Sequence, residues 1–178
     1  MSDESLMDAV KAGELQKVAL LFDRYHKRIF NYLARMCSDR EVAEDLTQNV
    51  FLRLMRYRHS YRSELRFQSW IYQVARNVFA DHYRSTKIKK SAHMVLEQIE
   101  NTAEDKDEFL QEEREAILHK SLALLKDDDR ELLVLTKFQH MKYEEVAEVL
   151  DTSVSNVKVK VHRAIQKLRE IYFELEKI

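Results

Sequence analysis

Side chains able to touch a nucleic acid, all but Val159 polar, recur over one short stretch near the C-terminus: Ser155, Asn156, Lys158, Val159, Lys160, His162 and Arg163. Lysine and arginine reach phosphates whatever the sequence, whereas Ser, Asn and Lys can also contact base edges in the major groove. A second cluster runs from Tyr57 to Phe67, rich in arginine and aromatic residues, and continues through Arg76, Asn77 and Arg84. Rings that stack on unpaired bases and cations that follow a backbone suit single-stranded nucleic acid. Tyr61, Arg62 and Asn77 are its candidate contacts, with a solvated loop and helix face as the plain alternative. A third group, Phe51, Leu52 and Met55 beside Asp45 and Gln48, is apolar with a polar fringe. Such a patch on a small domain marks a partner surface unless the helix is buried on two sides. Bond-making chemistry has no comparable signature. The seven histidines are scattered without metal-ligand spacing, and no glycine-rich phosphate loop or nucleophile–base motif occurs, so no enzyme, cofactor or metal is expected.

The elements that must position these groups are helices. Val146, Ala147, Val149 and Leu150 form one apolar stripe, and Val157, Val161, Ala164 and Leu168 form a second at helical spacing. Only Asp151, Thr152 and Ser153 separate them, and Ser153 is a good N-cap for the second helix. This is helix-turn-helix spacing, whose second helix can enter a major groove. Upstream, residues 3–12 predict a short helix closed by Gly13, and 14–37 a long one burying Leu15, Val18, Ala19, Phe22, Ile29, Leu33 and Met36. Ser38-x-x-Glu41 fits a capping box opening a third helix over 39–56, whose core stripe is Val42, Leu46, Val50 and Leu54. A fourth, 68–84, turns Trp70, Ile71, Val74, Ala75, Val78 and Phe79 inward. Beyond Glu112, Ile117, Leu118, Leu122 and Leu125 mark another helix, and Asp127–Asp129 can cap the next, which carries Leu132, Leu133, Leu135 and Phe138.

Zero prolines, one glycine and long runs of helix formers make an all-α fold the expectation for these 178 residues. The one cysteine, Cys37, excludes an internal disulfide and suits a reducing compartment. No apolar run approaches a membrane span and the N-terminus lacks signal-peptide character, so a cytoplasmic protein is expected. A net charge of −1 hides segregation: residues 51–90 hold ten Lys or Arg against two acids, and 97–115 hold nine acids against two bases. The expected organisation is two small helical domains, 1–86 and 112–178, joined by a flexible acidic linker over 87–111.

The combination of AEDLTQNVFLRLMR, FQSWIYQVARNVFADHYR, an acidic connector and LLVLTKFQHMKYEEVAEVLDTSVSNVKVKVHRAIQKLR resembles a group IV, extracytoplasmic-function (ECF) sigma factor of bacterial RNA polymerase. The resemblance implies a σ2-like and a σ4-like domain. It implies that Asp45, Gln48, Phe51, Leu52 and Met55 dock on the polymerase core, at the β′ clamp helices, with further contact to β. Tyr61, Arg62, Arg76, Asn77 and Arg84 fall where the family opens the −10 element and holds a flipped-out base. Ser155, Asn156, Lys158, Val159, Lys160, His162 and Arg163 fall where it reads the −35 element. Promoter DNA, core polymerase and an anti-sigma factor are the implied partners. Three positions depart from the family pattern: Lys126 stands for the usual Pro, and His140 and Asp151 for the usual Gly. The competing reading, a helix-turn-helix repressor or activator, calls for a dimer interface on a palindromic site. No heptad supplies one, and the basic aromatic block at 57–84 would be idle.

Overall fold

The computed structural model describes residues 1–89 and 106–178. Among them every α-helix has a sequence counterpart: α1 (Asp3–Lys11), α2 (Val18–Cys37), α3 (Arg40–Arg56), α4 (Phe67–Lys89), α5 (Lys106–Leu124), α6 (Asp127–Leu133), α7 (Tyr143–Leu150) and α8 (Val154–Glu176). The central part of the expected acidic linker lies outside the described residues, and α5 already begins at Lys106.

Local chemistry fixes the helix ends. Gly13 closes α1 with φ 112°, the left-handed conformation that glycine adopts without strain. The Ser38-x-x-Glu41 capping box does not form. Ser38 instead ends α2 with φ 53°, and Asp39 becomes the cap of α3, its Oδ1 accepting from the Val42 N–H at 3.1 Å. Likewise Lys126, not an aspartate, occupies the N-cap of α6, and Asp127, Asp128 and Asp129 sit in its first turn against the positive end of the dipole.

Helices α1–α4 share one apolar centre. A 3₁₀ turn over Leu15–Lys17 precedes α2; of the expected row, Leu15, Ala19 and Phe22 at its N-terminal end are exposed, while Ile29, Leu33 and Met36 are buried. The buried row is Leu21, Tyr25, Ile29, Tyr32, Leu33 and Met36. Both tyrosines go inward because their hydroxyls find acceptors, Tyr25 on Asp3 Oδ2 at 2.5 Å and Tyr32 on Glu131 Oε1 at 2.8 Å. In α3 the apolar face is wider than the predicted stripe and takes in Ala43, Thr47 and Phe51. In α4, Tyr72 joins the expected Trp70, Ile71, Ala75, Val78 and Phe79 in the core, and Val74 is only half-buried.

Helices α5–α8 close around Leu122, Leu125, Leu132, Leu133, Val146, Val157, Val161 and Ala164. Arg130 is the polar centre of this half. Its guanidinium donates to the carbonyls of Leu122 (2.9 Å), Ala123 (2.8 Å) and Leu125 (2.9 Å) at the end of α5, and to Met36 (2.8 Å) near the end of α2. One planar fork thus satisfies orphan carbonyls of two helix C-termini, where a cation is also favoured by the dipole. The contact to Met36 crosses from one half to the other. The two helical groups are packed together rather than hung apart on a tether, and hydrogen bonds and ion pairs cross their shared boundary beside buried apolar side chains.

Candidate nucleic-acid and partner interfaces

The helix-turn-helix is built by its turn. Asp151 takes φ 50°, and the Thr152 N–H returns to the Ala147 carbonyl at 3.0 Å, a left-handed Schellman-type stop. Ser153 Oγ accepts from the Asn156 N–H at 3.1 Å and starts α8. At the other end of α7 the Glu145 carboxylate accepts from the Lys142 N–H at 2.8 Å. His140 also sits at φ 53°, so both positions where the sequence departs from glycine are the left-handed ones.

With Val157, Val161 and Ala164 buried, α8 presents Ser155, Lys158, Val159 and His162 together on its outward face. Lys160 and Arg163 are exposed too, but they line a cleft of about 410 Å³ against the first helical group, with Arg76 opposite. Asn156 departs from expectation: its amide donates to Thr152 Oγ1 at 2.7 Å, so it serves the turn and is only half-exposed.

The proposed single-strand contacts separate more sharply. Tyr61 is fully buried, its hydroxyl donating to the Leu65 carbonyl at 2.8 Å and its ring edge-on to Trp70 at 5.4 Å. Burial pushes its hydroxyl up to about 12, and no face is left for a base. Arg62 and Arg84 are exposed. Arg76 faces the second helical group, its Nε 2.5 Å from Glu131 Oε1, a second nitrogen 3.3 Å from Oε2 and a weaker contact to the Val149 carbonyl at 3.4 Å. Burial works against the charge on Arg76, yet the Glu131 hydrogen bond and charge hold the guanidinium above its ordinary value. Tyr32 is driven well above the ordinary phenol range by complete burial and by the same Glu131 charge. Around this pair, Ser69 Oγ donates to Glu148 Oε2 (2.6 Å), Gln73 Nε2 to the Glu148 carbonyl (3.0 Å) and Tyr72 to Gln139 Oε1 (2.7 Å).

Asn77 stays exposed on the other side of α4. It borders a concavity of about 370 Å³ together with Tyr57, Ser60, Trp70, Arg53 and Asp81. Tyr57 is half-exposed, a residue the spacing argument passes over because it sits at a helix end.

On α3, Asp45, Gln48 and Leu52 are exposed and Met55 half-buried, while Phe51 turns inward beneath Phe22, ring centroids 4.8 Å apart at 64°. The outward patch therefore exchanges Phe51 for Phe22, which is 40% exposed and stacks on His26 at 4.7 Å. Phe22 was expected on the buried side of α2, in line with Ile29 and Leu33, so the stripe did not announce it as a surface residue. Among the described residues no cluster of His, Cys, Asp and Glu could hold a metal, and no helix is long and apolar enough to cross a membrane.

Fold and surface together define a two-part helical protein with a helix-turn-helix in its second half, a concavity beside Asn77 in its first, and an exposed apolar patch on α2 and α3. Comparison with known proteins agrees. Residues 21–88 match the family model for sigma-70 region 2, and residues 115–168 that for sigma-70 region 4. The RNA polymerase sigma factor YlaC of Bacillus subtilis (strain 168) is 31% identical over 157 residues, covering 84% of this chain and 88% of the relative. The ECF RNA polymerase sigma factor SigM of the same organism is 29% identical over 154 residues, covering 85% and 93%. CnrH, solved in complex with the cytosolic domain of CnrY, superposes with a TM-score of 0.70 at 23% identity, covering 96% of this chain and 97% of that one, which shows a common fold. The chain belongs to the sigma-70 family of RNA polymerase sigma factors, in its ECF group.

Proposed function

We propose a division of labour within this sigma factor: residues 1–86 bind the polymerase core and open the −10 element, residues 112–178 read the −35 element, and 87–111 join them. The observation that carries the −35 assignment is the outward face of α8. Ser155, Lys158, Val159 and His162 share it, free of the core that Val157, Val161 and Ala164 build beneath. Lysine at this position reaches phosphate or a guanine edge, and Val159 offers an apolar contact to a thymine methyl. Lys160 and Arg163 flank the same groove once the modules part. In the first module Asn77, Arg62 and Arg84 hold the separated strand. Arg76 joins them only on leaving Glu131, so promoter opening and the observed packing exclude one another at this side chain. Leu52, Phe22 and Met55, ringed by Asp45 and Gln48, form the polymerase-docking patch. A protein inhibitor of the anti-sigma kind is the third partner, in keeping with the complex of the sigma factor RpoE with the anti-sigma factor NepR from Bartonella quintana. The protein works in the cytoplasm as a non-enzymatic subunit.

Transcription with purified bacterial core polymerase on a genomic fragment library, with and without the protein, tests this. New transcripts that share upstream elements are expected, and Lys158→Ala should depress them while leaving polymerase association intact. Tight duplex binding by the protein alone, with no transcript gained, would favour a repressor.

A further inference from the structure

The segment that carries Arg62 runs between the enclosed rings of Tyr61 and Phe67 and is exposed from Arg62 through Arg66. Its own hold is slight: the Leu65 N–H turns back on the Arg62 carbonyl at 3.0 Å, and the Tyr61 hydroxyl donates to the Leu65 carbonyl at 2.8 Å. An exposed loop with so few bonds of its own opens readily unless something outside it fixes its place. We infer that α1 is that brace: Glu4, Asp8 and Lys11 are positioning residues that set the 61–67 loop, and Arg62 with it, for the opened strand; this rests on the first module opening DNA as proposed above.

The contacts form a ladder. Glu4, Asp8 and Lys11 recur at helical spacing on one face of α1, and they meet Phe67, Ser63 and Tyr61 in that order, so helix and loop run in opposite directions. Each rung does a different job. Glu4 Oε1 accepts from the Phe67 N–H at 3.1 Å, which satisfies an orphan donor in the first turn of α4 and sets a negative charge at its positive end. Asp8 Oδ1 accepts from Ser63 Oγ at 2.6 Å, within the exposed stretch next to Arg62. Lys11 Nζ donates to the Tyr61 carbonyl at 2.7 Å, a charge-assisted bond where the loop begins. The helix that carries the rungs is itself anchored. Its Leu6, Met7 and Val10 are fully buried, and Asp3 takes the Tyr25 hydroxyl and pairs with Arg24, both on α2. The brace also belongs to the first module alone. Arg66 reaches Glu145 and Glu148 of the second half at 3.8 Å each, ties that go when the halves part, whereas α1 stays with the loop.

Hydrogen exchange on the full chain, read by mass spectrometry, tests the brace directly. Glu4→Ala and Lys11→Met should each speed exchange of the peptide covering the loop roughly 10-fold, as for the loss of one hydrogen bond to a charged group, with α2 and α8 unchanged. Glu4→Gln and Lys11→Arg, which keep an acceptor and a donor, should stay near wild type. Function is read in holoenzyme reconstituted from bacterial core polymerase and the full chain, on a promoter recovered from the fragment library. Lys11→Met should slow the appearance of permanganate-reactive thymines at the −10 element roughly 10-fold, with −35 protection and polymerase association unchanged, and Lys11→Arg should restore the rate. Wild-type opening by Lys11→Met, or faster exchange spread evenly over the first module, would overturn the brace and leave the promoter-opening role standing. Thymines that stay unreactive with the wild-type holoenzyme, on a promoter whose −35 element it protects, would overturn both.

Discussion

Glu131→Ala should loosen the joint between the two helical groups. The Glu131 side chain is 9% exposed and is the common acceptor for Arg76 and for the buried Tyr32 hydroxyl, both on the opposite group. Removing one partner of a buried charge pair costs about 3–5 kcal/mol when the survivor stays buried. Arg76 is 35% exposed and can swing into water, so its share falls well below that figure. Tyr32 cannot follow, and a buried hydroxyl stripped of its acceptor costs about 1–3 kcal/mol. The sum, about 2–4 kcal/mol, shifts the balance between packed and parted arrangements by roughly 30- to 1,000-fold. Small-angle scattering reads the outcome. The wild type should stay near the radius of gyration of a compact chain of its length, about 16 Å, and the variant should expand at unchanged helix content. Arg76→Ala should expand it less, since Glu131 keeps Tyr32, and the double variant should fall short of additivity. Equal radii in wild type and Glu131→Ala, or strict additivity in the cycle, would refute the claim that this carboxylate ties the halves together.

Arg130→Lys should destabilise the chain by about 3–5 kcal/mol on chemical denaturation, because one ammonium cannot serve the carbonyls of Leu122, Ala123, Leu125 and Met36 at once; a loss under 1 kcal/mol would show that those carbonyls find water. Asp151→Gly should raise the melting temperature by about 2–4 °C, since glycine holds φ 50° without the roughly 1 kcal/mol cost of a side chain there, and an unchanged or lower value would mean the aspartate is itself stabilising the turn. Leu52→Glu should weaken polymerase association in a pull-down with core enzyme at unchanged helix content, because Leu52 is 60% exposed at the centre of the proposed docking patch; wild-type affinity would remove it from that surface.

What could be foreseen in the chain follows the range of the interactions concerned. The helix-turn-helix was legible because its determinants are local: a 3.6-residue apolar period, the Ser153 cap and a left-handed Asp151 all act within a few residues. The bond of Asn156 has a local cause too, since a short amide beside a turn is drawn to cap it, here on Thr152. Tyr61 shows the limit of composition. A loop rich in tyrosine and arginine does not say which ring points inward, and the Leu65 carbonyl, four residues on, satisfies the hydroxyl well enough for burial. Phe22 lies on the same face of α2 as the buried Ile29 and Leu33, and no period tells that this face reaches solvent toward the helix's N-terminal end. Arg76 and Glu131 lie 55 positions apart, and no periodicity foretells that one helix of the first half will offer its cation to the second.

The composition of that joint bears on how the protein can work. Polar groups meet across it, Arg76 with Glu131, Ser69 and Gln73 with Glu148, Tyr72 with Gln139 and Arg130 with the Met36 carbonyl, beside apolar side chains of both halves. Net gains from such bonds are about 0.5–1.5 kcal/mol each, because separation exchanges protein partners for solvent. An apolar boundary of the same extent would hold the halves by area and leave a sticky face whenever they parted. Here part of the hold comes from bonds that fix how the halves meet, provided every buried polar group is paired. Tyr32 and the Met36 carbonyl are two such buried groups: the Tyr32 hydroxyl donates to Glu131 and Met36 accepts from Arg130, so solvent must enter at both when the halves part. The polar part of the barrier to opening therefore sits at Glu131 and Arg130 together. Any partner that takes Arg76 from the Glu131 carboxylate, an anionic phosphate included, would weaken the joint at one of its buried ties.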